Sequence, residues 1–288
     1  MNGGTSMSMT VITGALELGL IYALVALALH LSYRILNIAD MTTDGTFTLG
    51  CAVSATMVVA GHPWLALPAA MLAGAAAGSV TALLQTKCRV PSILAGIITN
   101  TGLYTINLAV MGFSSNVSIF RQTTIFSLLG PKLRIVPIAV ITVAVCVGMV
   151  LFLRTRLGLS IRATGDNPDM VRASSINTGF TVTVGLCVAN AITALSGAVL
   201  AQYQKAADIN LGTGMVVIGL ASLIIGQTMM PKRSLPLQTA GAVIGSIVYR
   251  FIIALALRLD LPSECLKLIS AVIVALAIAL PAVKKKEG

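Results

Sequence analysis

At 288 residues, with 57% hydrophobic and only 10% charged side chains, the chain is too apolar for an ordinary soluble domain, in which charged residues make up about a quarter of the total. The net charge of +10 does not indicate nucleic acid, because the basic residues form short clusters between apolar runs and are not interleaved with aromatics. The five cysteines show no paired spacing, which argues against a disulfide framework or a zinc site.

A membrane span needs about 20 apolar residues. On that basis the chain reads as an all-α, polytopic membrane helix bundle of about nine spans, at 10–32, 41–60, 64–85, 91–112, 135–153, 180–202, 209–228, 235–257 and 267–283. No Lys or Arg precedes Arg34, so the first run does not look like a cleaved signal peptide and is expected to remain. Glu17 within it either faces a cavity or partner, or lies near the outer end and reaches water. The second and seventh spans are the least regular. Thr42, Thr43, Asp44, Gly45 and Thr46 open one, Asn210, Gly212, Thr213 and Gly214 open the other, and either can be broken or re-entrant. Asp44 either caps a helix start or serves a cavity or gate.

In the third span Gly74 and Gly78 form a small-xxx-small pattern that predicts close packing, as do Gly241 and Gly245 in the eighth. Asn100, Tyr104 and Asn107 share one face of the fourth span, and Asn190 with Thr193 and Ser196 lies in the sixth. Asp44, Asn100, Tyr104, Asn107 and Asn190 are the candidates for a translocation path; the polar helix faces serve equally well to hydrogen-bond neighbouring helices. Arg250, alone inside the eighth span, either pairs with Glu17 or Asp44 or snorkels outward.

Between the fifth and sixth spans lies the polar segment LRTRLGLSIRATGDNPDMVRASSINTGF, residues 153–180. Asn167 suits an N-cap, Pro168 the first helical position, Asp169 the positive and Arg172 the negative end of the macrodipole, and Gly179 a stop. A helix of two to three turns is too short to hold itself together in water, so this one is expected to pack on something.

Nine spans put the termini on opposite sides. With the C-terminal Lys284, Lys285 and Lys286 inside, twelve of the 19 Lys and Arg residues are cytoplasmic and six are external, favouring N-terminus out and C-terminus in. Arg121, Lys132 and Arg134 oppose that bias, as a structured cap in the external loop would explain. Ala39-Asp40 ahead of Gly45-Thr46 is echoed by Ala207-Asp208 ahead of Gly212-Thr213 on the opposite side, as an inverted repeat of halves 10–112 and 180–283 requires. The whole of 1–288 then forms one transmembrane domain with a cytoplasmic loop at 154–180.

His30 and His62 are isolated, and no cluster has metal-ligand spacing. No Gly-Lys dipeptide occurs, so a phosphate-cradling nucleotide loop is missing and the chain cannot hydrolyse ATP by that route unaided.

LGLSIRATGDNPDMVRASSIN, residues 157–177, resembles the cytoplasmic loop of permeases from the branched-chain amino acid and ribose family of ABC importers. Gly158, Ile161, Arg162, Ala163, Gly165, Asn167, Ala173 and Ile176 fit the family's pattern. Met170 and Val171 stand where alanine is common, and Ser175 replaces a common glycine. The first 55 residues resemble the amino-acid branch, within it a subgroup linked to uptake of tryptophan or other amino acids. The resemblance implies a non-catalytic permease subunit of the bacterial inner membrane that translocates a small polar solute, most of all an amino acid. A self-sufficient secondary transporter or channel is the alternative.

The partners it implies are a pair of cytoplasmic ATPase subunits carrying ATP and Mg, an extracytoplasmic solute-binding protein and a second permease subunit, here as a homodimer; no cofactor is bound by this chain. Residues 168–176 would be the coupling helix. Contact with the ATPase would fall to Arg162, Gly165, Asn167, Pro168, Asp169, Met170, Val171, Arg172 and Ile176, the apolar members filling a groove and the arginines meeting its rim.

Overall fold

A computed structural model of the chain describes residues 9–129, 133–230, 234–257 and 272. The expected span at 267–283 lies outside the described residues.

The other eight expected spans are helices. They are α1 (Met9–Leu29, continued by a π-helical stretch His30–Ile35), α2 (Thr43–Val59), α3 (Ala66–Thr86), α4 (Ser92–Val110), α6 (Ile135–Arg154), α9 (Thr178–Gln204), α10 (Met215–Met229) and α11 (Leu235–Leu257). Six helical segments are long and apolar enough to cross a membrane. The exceptions are the two irregular spans: α2 has 17 residues and α10 has 15. At a rise of about 1.5 Å per residue these reach only ~25 and ~22 Å, short of a hydrocarbon core of ~30 Å. The chain ahead of each helix, 36–42 and 205–214, is non-helical backbone, and other protein must satisfy its polar groups where it enters the bundle.

Helix α9 is the most buried of the long helices and α6 the least. Val136, Val140, Val143, Val147 and Leu151 leave an apolar stripe exposed along α6, as a lipid-facing helix requires. Where α3 meets α9 and α11 meets α10, the contacts are close enough to need glycine. A Cβ on Gly74 would overlap the Asn190 carbonyl, and one on Gly245 the Ser222 carbonyl, so both small-xxx-small patterns mark helix crossings.

The packing has a two-fold pattern. Helix α9 packs on α2 and α3, while α1 packs on α10 and α11. The two segments that echo each other in sequence carry the same turn: Asp40 Oδ1 accepts from Thr42 N at 2.9 Å, and Asp208 Oδ1 accepts from Asn210 N at 2.8 Å.

The long loop after α4 is structured. Strand β1 (Asn116–Ser118) pairs antiparallel with β2 (Ala206–Asp208), and α5 (Ile125–Leu129) follows. Ile119, Ile125 and Phe126 are buried, Gln202 Oε1 accepts from Ile125 N at 3.2 Å, and Lys205 lies 5.5 Å above the Phe120 ring. The described part of this loop is thus structured, as expected from the sequence.

At the other end, α7 (Arg156–Asp166) and α8 (Pro168–Ala173) form a knuckle between α6 and α9. The expected helix ends earlier than Gly179. Ser175 takes a left-handed φ of 58° that stops the turn, and Asn177 caps α9, so Gly179 lies inside that next helix.

Arg250 does not make the ion pair with Glu17 or Asp44 that is one of its two readings. Its guanidinium stacks 4.1 Å above the Tyr22 ring, without an ion pair to a described carboxylate. Glu17 has its partner elsewhere, accepting a 2.8 Å hydrogen bond from the Tyr203 hydroxyl.

Candidate functional site

Two regions gather the polar residues singled out by sequence. The first lies where the two short helices begin. Asp44, in the first turn of α2, reaches across to α10: Oδ2 accepts from Gly214 N and Oδ1 from Val216 N, each at 2.9 Å. It caps a helix, but α10 rather than its own. Gly214 makes this possible with a φ of +88°, a conformation side chains resist. Thr48, one turn along α2, accepts from Gly212 N at 3.1 Å.

Beside this junction lies a cavity of about 280 Å³ lined by Asp44, Gly45, Thr48, Asn100, Thr101, Tyr104, Asn107, Ile209, Asn210 and Thr213. Four of the five path candidates meet there, brought together because the polar face of α4 packs on the start of α2. Gly45 permits the approach, since a Cβ on it would overlap Asn100 Oδ1. Asn107 donates from Nδ2 to the Gly45 carbonyl at 3.1 Å.

The fifth candidate, Asn190, lies outside that cavity. Its Nδ2 donates to Asp40 Oδ2 at 2.7 Å and its Oδ1 accepts from Thr46 Oγ1 at 2.8 Å, all three residues being buried. Thr42 Oγ1 continues the network to Thr81 Oγ1 at 2.8 Å on α3. Asp40 and Thr48 escaped sequence reasoning as separate sites. The one signal for Asp40 was its place in the internal echo, and Thr48 sits four residues beyond Asp44 on the same helix face.

The second region is the knuckle. Asn167 Oδ1 accepts from Met170 N at 3.0 Å, Pro168 opens α8, and Arg172 pairs with Asp169 at 3.3 Å. Arg172 also donates to Thr178 Oγ1 at 3.3 Å. Met170 is 60% exposed and Ile176 37%, whereas Val171 is 1% exposed and fastens the knuckle to its own chain instead of offering an outward anchor. Ile161 is fully buried, and Leu159 adds a further exposed apolar side chain. Gly165 holds α7 against the end of α1, where a Cβ would overlap the Ile35 carbonyl. Arg162 is exposed and lines a polar cleft with Arg34, Asp166 and Gln238. A groove of about 840 Å³ flanks α8, lined in part by Gln85, Arg89, Pro168 and Arg172. Among the described residues no group of His, Cys, Asp and Glu is placed to hold a metal ion.

Residues 11–280 match the model of a family described as the permease component of branched-chain amino acid transport systems. The chain is 35% identical over 268 residues to the tyrosine transport system permease protein of Clostridioides difficile, covering 92% of this chain and 90% of that one. It is 23% identical over 248 residues to the ribose import permease protein of Haemophilus influenzae, covering 83% and 75%. To a probable branched-chain amino acid transport permease protein of Methanocaldococcus jannaschii it is 23% identical over 234 residues, covering 75% and 73%. No solved structure matches it.

Proposed function

Because the chain belongs to the permease-component family of branched-chain amino acid transport systems, we propose that it is the membrane subunit of an ATP-driven importer that carries an amino acid inward. Two copies of the chain pair with two cytoplasmic ATPase subunits, which hold ATP and Mg, and receive solute from an extracytoplasmic binding protein. The 35% identity to a tyrosine transport permease supports an amino acid as cargo.

The observation that carries this reading is the α7–α8 knuckle. A six-residue helix cannot stand alone, yet this one is capped at Asn167, pinned by Val171 and Gly165, and turns Met170 and Ile176 outward. Such a rigid projection with apolar tips suits a groove on a partner and transmits that partner's motion to the ends of α6, α9 and α1. Its place among Arg154, Arg156, Arg162 and Arg172 supports the cytoplasmic side for it, and with it N-terminus out and C-terminus in.

The reciprocal packing of α1 with α10 and α9 with α2, and the matched turns at Asp40 and Asp208, support an inverted repeat. The cavity at Asp44, where its halves join, is then the natural waypoint for solute. Rocking of the halves opens it to alternate sides.

Replacing Asn167-Pro168-Asp169 by Gly-Gly-Gly removes the cap, the fixed φ and the charge at the helix start. Uptake into proteoliposomes containing all subunits should fall roughly tenfold or more, as expected when about 1–3 kcal/mol of coupling is lost. Stimulation of the ATPase by loaded binding protein should vanish while expression stays normal. Unaltered uptake refutes the coupling role.

A further inference from the structure

The cavity between α2, α4 and the loop before α10 carries a charge preference that can be read from its hydrogen bonds. A helix start inside a membrane ordinarily offers free N–H groups to an anion. Here those of α10 are already engaged, with Gly214 N and Val216 N both donating to the Asp44 carboxylate. What remains toward the cavity is acceptor capacity. Each carboxylate oxygen has further lone pairs, since an ionised Asp accepts up to about four hydrogen bonds and only two are shown here.

Asn107 adds a second, independent acceptor. It is 1% exposed, its Nδ2 is committed to the Gly45 carbonyl, and its Oδ1 is a buried oxygen without a partner. The bond to a carbonyl acceptor fixes which end of the amide is nitrogen, so the orphan is the oxygen. A buried unpaired acceptor is costly to leave unmade, and a ligand bearing N–H donors removes that cost. The lining contains no Lys, Arg or His, so nothing on the cavity wall neutralises Asp44.

Resting on the importer reading above, we propose that Asp44 and Asn107 form a subsite for the protonated amino group of the transported solute. The cavity thereby selects ammonium-bearing solutes over neutral sugars and over carboxylates without an amine. An ammonium supplies donors and a positive charge to a carboxylate that has unused lone pairs and to an amide oxygen that has no donor. The side chains of Asn100, Asn210, Tyr104 and Thr101 line the remainder of the cavity. A volume of about 280 Å³ suits a solute of amino-acid size.

The test is a ligand-observed NMR titration of the full-length chain in lipid nanodiscs with L-tyrosine, tyramine and 3-(4-hydroxyphenyl)propanoate, which share one ring and differ in their charged groups. Tyrosine and tyramine should bind at least roughly tenfold more tightly than the deaminated acid, the difference expected for a hydrogen bond to a charged group. Asp44→Asn should remove that preference, and Asn107→Leu should reduce it. Equal binding of the three ligands by the unmodified protein overturns the subsite without recourse to a variant that misfolds. So does a preference that survives both substitutions, or occupancy by Na⁺ that tyramine does not displace. ATP-driven uptake by the complete complex is measured in parallel. Uptake without amine preference at the cavity discards the subsite and keeps the importer, whereas amine preference without ATP-driven uptake does the opposite.

Discussion

Gly50→Leu is expected to leave no monodisperse folded protein in detergent extracts, measured by fluorescence-detected size exclusion. A Cβ at Gly50 would overlap the backbone carbonyl of Ala194, and three residues further along α9 a Cβ at Gly197 would overlap the carbonyl of Phe47. Helices α2 and α9 therefore touch backbone to backbone, a geometry locked by Cys51 Sγ donating to Gly197 O at 3.2 Å and Ser54 Oγ to Ala198 O at 3.1 Å. A side chain at position 50 has no flexible neighbour to displace, so the helices must separate and both bonds are lost. The cost should exceed the roughly 1–3 kcal/mol typical of overpacking, against a total stability of about 5–15 kcal/mol. Gly148→Leu on α6 is the control: nothing stands within 4 Å of its Cβ, and its elution profile should be that of the unmodified protein. A normal profile for Gly50→Leu contradicts the tight crossing.

Asn190→Leu is expected to destabilise the bundle by about 1–3 kcal/mol, the usual consequence of leaving a buried polar group without its hydrogen-bond partner. The substitution leaves Asp40 Oδ2 and Thr46 Oγ1 without the bonds that Asn190 provides, in a region from which water is excluded. The midpoint of thermal unfolding should drop sharply. Combining it with Asp40→Leu should cost less than the sum of the single changes, because the second removes the carboxyl group that the first orphaned. A normal midpoint together with altered solute selectivity would instead assign Asn190 to the path. The contrast with Asn107 is instructive. Both are buried asparagines in long helices, but Asn190 has both ends of its amide bonded, whereas Asn107, in the wall of a cavity, has a buried oxygen without a partner.

Much of this architecture was legible in the chain because the bilayer imposes simple rules. Runs of apolar residues long enough to span a membrane located eight described helices, and the Thr, Asp and Gly residues opening two of them marked the helices that fall short of a span. The caps at Asn167 and Pro168 are local hydrogen-bond chemistry, fixed within three residues, and were equally readable. The stop of α8 was misplaced at Gly179 because Ser175 takes a left-handed conformation that its residue type does not advertise. Val171 looked like an outward anchor because sequence records that a side chain is apolar and not which surface covers it.

The sequence alone determined which segments are helical, which carry polar faces and where a polar knuckle interrupts the apolar runs, since these follow from composition and short-range spacing. Only the tertiary structure decided that Asp44 caps α10, that four path candidates share a cavity while Asn190 belongs to a buried network with Asp40, and that Arg250 lies over Tyr22. Each of those depends on contacts between residues far apart in the chain, more than a hundred positions for all but the approach of α4 to α2, and hydrogen-bond partners at that separation leave no periodicity to read.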